Sequence, residues 1–112
     1  MTKLAITGNF DKHSNQQIKL NVADISRVAF LNGQICIFLS GQSPLKPNVS
    51  MASIESTLSD FPFLKVNTSH IINLEHIVNI VFGEQTVLTL SDNFQLMVDE
   101  DVATLMKKYL NK

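Results

Sequence analysis

Phe63-Leu64-Lys65-Val66-Asn67-Thr68-Ser69-His70-Ile71-Ile72-Asn73-Leu74-Glu75-His76-Ile77 is the most informative stretch of this 112-residue chain. Its first half alternates, which predicts a strand with Leu64 and Val66 toward a core and Lys65 and Asn67 toward water. Asn67-Thr68-Ser69 then gathers three short hydrogen-bonding side chains beside Lys65. Two readings of that triplet stand. In one it is a polar turn leaving a strand, with Asn and Ser bonding their own backbone. In the other it is an exposed loop of donors and acceptors suited to base edges and phosphates.

Outward from this stretch the dominant period remains two. Apolar residues at 18, 20 and 22 alternate with polar ones, as in a strand buried on one face. Ser26 to Leu31 and Gln34 to Leu39 are β-rich runs separated by Asn32-Gly33, a strong hairpin signal because both residues accept the positive φ of a type I′ turn. Ile77 to Phe82, Thr86 to Leu90 and Phe94 to Val98 read as further strands, parted by Gly83-Glu84-Gln85 and by Asp92-Asn93. Residues 1 to 16 add an edge strand, with 11 to 16 as a polar turn.

Two stretches switch to the helical period. Met51, Ile54 and Leu58 follow Ser50 as N-cap and stop before Pro62, predicting a helix at about 51–60. Val102, Leu105, Met106, Tyr109 and Leu110 form a stripe over about 100–110. Asp99 caps that helix, Glu100 and Asp101 open it, and Lys107 and Lys108 close it, so the charges complement its dipole. Strands outnumber helices and no βαβ rhythm occurs. A mainly β, antiparallel, single domain spanning 1–112 follows, with two short helices.

Nine Lys+Arg against ten Asp+Glu leave a formal charge of −1, so any hold on nucleic acid must come from a local patch. A single cysteine, Cys36, precludes an internal disulfide and behaves as a small core hydrophobe. No leader-like or membrane-spanning run is present, which points to the cytoplasm. There is no Gly-rich phosphate loop, H-E-x-x-H, paired Cys or G-x-S-x-G, and the spacing of His70, Glu75 and His76 matches no standard metal motif. The chain is expected not to be an enzyme and to have no metal, cofactor or small-molecule substrate.

The central stretch resembles the signature of LytTR domains, the mostly β DNA-binding domains of many bacterial response regulators in two-component systems. The match falls at Phe63, Leu64, Val66, Ser69, Ile71, Ile72, Asn73, Leu74 and Ile77, and Lys65 keeps the charge of the family's Arg. Ser50-Met51-Ala52-Ser53-Ile54-Glu55-Ser56-Thr57-Leu58 looks like the family's helix, and Asp24-Ile25 like its usual opening. The resemblance covers about residues 17 to 110. It implies an elongated set of small antiparallel sheets whose loops enter the major groove, usually at promoter repeats. By position, DNA-contact candidates are Asn32 and Gln34 of the first hairpin, Lys65 on phosphate, Asn67 and Thr68 on base edges, and Ser69 beside them.

The chain departs from the family where His and then Arg or Asn are usual, carrying Asn67 and Thr68. It departs again at the entry to the last helix, where Asp101 takes a usual Arg position beside Asp99 and Glu100. A carboxylate about 4 Å from a phosphate costs about 1 kcal/mol even in water. Two functions remain: sequence-specific DNA binding as a stand-alone bacterial transcriptional regulator, or a protein-interaction module on the same scaffold that has lost DNA. Further partners on either reading are a second copy or a protein regulator in trans.

Overall fold

The computed structural model describes residues 3–9 and 15–110. They gather into two compact units, Met1–Glu75 and His76–Lys112. In the first, β1 (Lys3–Asn9) pairs antiparallel with β2 (Asn15–Asn21), in register from Lys3 opposite Asn21 to Asn9 opposite Asn15. The strand expected near the start of the chain is therefore present. Of the polar turn expected over 11–16, Asn15 and Gln16 belong to β2, while residues 11–14 lie outside the described residues.

A four-stranded antiparallel sheet follows, built from β3 (Ile25–Leu31), β4 (Gln34–Leu39), β5 (Phe63–Asn67) and β6 (His70–Asn73) in the order β4-β3-β6-β5. Asn32 and Gly33 join β3 to β4 with φ of 52° and 77°, the positive values that a type I′ turn demands and that Asn-Gly accepts with little strain. Between β4 and β5 runs α1 (Met51–Leu58), whose N-terminal turn is closed by Ser50 Oγ accepting from the Ser53 N–H at 3.1 Å. The helix ends two residues short of the expected 60. Ser59 and Phe61 N–H groups turn back onto the Ser56 and Leu58 carbonyls instead, ahead of Pro62.

Ile54 and Leu58 of α1 join a core with Val28, Ile35, Ile37 and Ile71, and Phe63 packs against it. Val66 is buried and Lys65 and Asn67 are exposed, as alternation requires, whereas Leu64 is only half-buried. The core that α1 covers thus includes Phe63, on the same side of β5 as Lys65, a placement that the reading of Leu64 and Val66 as the core-facing pair did not contain. Cys36 is buried in β4 as a free thiol.

In the second unit β7 (Ile77–Val81), β8 (Thr86–Leu90) and β9 (Gln95–Val98) form an antiparallel meander, followed by α2 (Glu100–Leu110). Asn93 takes φ of 68° in the β8–β9 turn, where the Asp92 carboxylate accepts the Phe94 N–H at 3.2 Å. Leu88, Leu90, Val98, Ala103 and Met106 are buried. The expected apolar stripe of α2 needs one correction. Leu105 is 52% exposed, because one residue of helix turns the side chain through about 100° from Met106; Ala103 takes its place. No described helix is long and apolar enough to cross a membrane.

Candidate nucleic-acid interface

Two hairpins of the first unit end side by side. Ala29 stands opposite His70 in the β3–β6 ladder, and the Phe30 N–H donates to Ser69 O at 2.8 Å. The Asn32-Gly33 tip of one hairpin and the Thr68-Ser69 tip of the other therefore lie at the same end of the sheet. Sequence positions more than thirty apart meet there: Asn32 and Gln34 from one tip, Asn67, Thr68 and Ser69 from the other. All are exposed except Ser69, which is half-buried. Gln34 Nε2 donates to Lys46 O at 3.4 Å, which brings the backbone of an exposed lysine to the same end.

The second tip is internally tied. Asn67 Oδ1 accepts the Ser69 N–H at 2.8 Å, closing the turn with its own side chain. The same oxygen is 3.1 Å from His70 Nδ1. Of the two readings of Asn67-Thr68-Ser69, the self-bonded polar turn is what the geometry contains, and the turn is also solvent-facing. Behind it the Arg27 guanidinium lies 3.8 Å from the centroid of the Phe38 ring, nearly buried in β3. Burial, reinforced by the positive charge of Arg27, holds the His70 imidazole below its usual pKa.

Lys65 Nζ sits 2.9 Å from Glu55 Oε1 of α1, with the two side chains 43% and 37% exposed. The phosphate candidate is therefore engaged across the α1–β5 contact, an arrangement the sequence holds only in that Glu55 is polar between the buried Ile54 and Leu58. Ion pairs this exposed contribute roughly 0–1 kcal/mol, so a phosphate can compete for the lysine.

The second unit carries the acidic helix start. Asp99 Oδ1 accepts the Val102 N–H at 2.9 Å, the capping bond expected of it, while Glu100 and Asp101 lie exposed in the first turn. Asp99, Glu100 and Lys107 line one concavity together with Phe82 and Met97, and Lys107 Nζ stands 4.6 Å from the Phe82 ring centroid. Replacing Asp99 by alanine is expected to lower stability by about 0.5–2 kcal/mol, read from thermal unfolding; an unchanged midpoint would mean that the cap contributes nothing. His70 and His76 fall in different units, and His76 Nδ1 pairs with Ser91 Oγ at 2.6 Å.

The sequence profile of the LytTr DNA-binding domain matches residues 15–111. Among solved structures the chain is similar to a LytTr DNA-binding domain of a Bacillus cereus protein described as a methyl-accepting/DNA response regulator, at 16% identity and a TM-score of 0.72. That likeness covers 97% of this chain and 98% of the other. No curated protein sequence matches.

Proposed function

The chain belongs to the LytTR DNA-binding domain family, and from that membership we propose that it binds double-stranded DNA through the paired hairpin tips of its four-stranded sheet. The observation that carries this reading is the Phe30–Ser69 hydrogen bond, which sets the two tips side by side. Asn32, Gln34, Asn67 and Thr68 enter a major groove at promoter repeats and face base edges, Ser69 shapes the second tip, and Lys65 reaches phosphate. The domain acts in the cytoplasm as a regulator whose signal comes from a partner protein or a second copy. Exposed Asp99, Glu100 and Asp101 favour the other reading, a scaffold that contacts a protein instead of DNA.

Fluorescence anisotropy with a duplex from the region upstream of its own coding sequence tests the first reading. A footprint of two or three phosphate contacts, Lys65 among them, predicts a loss of about 10- to 40-fold in affinity between about 50 and 200 mM salt. No binding by folded protein at the lower salt would defeat the reading and leave the protein-contact one. Glu55→Gln is expected to release Lys65 and tighten binding about 2- to 5-fold at low salt. An unchanged affinity would place Lys65 away from the phosphates.

A further inference from the structure

The carboxamide of Asn67 has one end already committed. A carbonyl oxygen offers two lone pairs, and Asn67 Oδ1 meets two partners, the Ser69 N–H at 2.8 Å and His70 Nδ1 at 3.1 Å. The Ser69 N–H fixes which way the amide points, since turned over it would set two donors against each other. Oδ1 being an acceptor only, the 3.1 Å contact is a hydrogen bond when the His70 proton sits on Nδ1. What Asn67 offers the solvent is its Nδ2 amino group, which has no hydrogen-bond partner among the described residues.

An asparagine reading adenine in the major groove needs both ends of its carboxamide, Nδ2 donating to N7 and Oδ1 accepting from the N6 amino group. With Oδ1 occupied that pairing is closed. An outward amino group instead suits adjacent acceptors, and guanine, with N7 and O6 side by side, is the base that presents them in the major groove. We infer that His70 is a positioning residue that makes Asn67 a donor-only reader, so that this tip selects guanine over adenine. The inference rests on the DNA-binding reading above and adds to it the base that the second tip selects.

His70 protonation leaves the arrangement intact, because Nδ1 is the donor in both the neutral and the charged ring. Among the described residues the imidazole feels the guanidinium of Arg27, on the neighbouring strand β3, and the Lys65–Glu55 pair stands further along β5 and α1. Base selection by this tip is therefore expected to hold on either side of the imidazole titration.

Two measurements test the inference. A long-range 1H–15N spectrum of the imidazoles in the free, full-length protein reports the tautomer at neutral pH. The Nδ1–H form is expected for His70, and the Nε2–H form overturns the inference whatever the DNA result. Next, duplexes are selected by the wild-type chain from a library randomised in sequence, and each guanine of the selected duplex is replaced in turn by 7-deazaguanine. One position is expected to cost the wild type about 5- to 10-fold and to cost Asn67→Ala nothing further. At that position His70→Phe is expected to accept adenine about as well as guanine. Retention of the full penalty by Asn67→Ala, or of the full guanine preference by a folded His70→Phe, overturns the inference while DNA binding stands. If the wild type enriches no duplex, the DNA-binding reading itself has failed, and the inference with it.

Discussion

Asn73→Ala is expected to destabilise the first unit by about 3–5 kcal/mol, the largest effect of any single polar substitution in the signature stretch. Asn73 has no solvent exposure. Its Nδ2 donates to Ile25 O at 2.9 Å and lies 3.5 Å from Val22 O, and its Oδ1 accepts the Glu75 N–H at 2.9 Å. One side chain thus ties the end of β6 to the start of β3 and to the turn at Leu74–His76. Alanine strands the buried Ile25 carbonyl, at about 1–3 kcal/mol without a partner, gives up the part-buried bond to the Glu75 N–H, and leaves a void at a site with no solvent exposure. Urea unfolding measures the loss. A change below about 1 kcal/mol would mean that water replaces the amide.

The same asparagine clarifies the signature. The match to the family at Asn73 reflects a buried hydrogen-bond clamp, whereas the residues proposed to touch DNA are those on the exposed turn just before it.

With the start of α2 beside a phosphate, as the family resemblance at Asp101 implies, Asp101→Arg is expected to tighten DNA binding by about 10- to 30-fold at low salt. The substitution changes the local charge by two units, and each unit within about 4 Å of a phosphate is worth about 1 kcal/mol in water. It removes an acidic residue from the first turn of α2, which costs roughly 0.3–1 kcal/mol of helix stability, so a modest drop in melting temperature should accompany the gain. Asp101→Asn should give about half the gain in free energy. An affinity that stays at the wild-type value for both variants would show that the start of α2 does not face the duplex and that the acidic turn serves the helix alone.

Much of the architecture was legible from local chemistry. Asn32-Gly33 predicts its type I′ hairpin because few other pairs accept two positive φ values. Ser50 and Asp99 predict their helix starts because a short oxygen-bearing side chain can reach the third N–H of the helix. The strand β6 was harder to see. His70-Ile71-Ile72-Asn73 does not alternate, since Ile71, Ile72 and Asn73 are all buried, and a buried asparagine mimics a loop residue until its partners are known. Leu105 misled in the opposite direction, an apolar side chain on the flank of α2 that counts toward the helical period yet stays exposed.

At the candidate interface, composition and spacing located the tip residues but not their neighbours. That Asn32 and Ser69 share one end of a sheet is a consequence of the β3–β6 pairing, which no local pattern encodes. The pairings of Lys65 with Glu55 and of His70 with Asn67 likewise depend on tertiary placement and on a turn only two residues long.

Amide 1H–15N chemical-shift mapping of the labelled protein, titrated with a duplex that it selects, tests the paired-tip interface most directly. The largest displacements are predicted at Asn32, Gly33, Gln34, Asn67, Thr68 and Ser69, with α1 and the buried core of the sheet barely moving. Displacements that bypass both tips and gather elsewhere on the protein would contradict it.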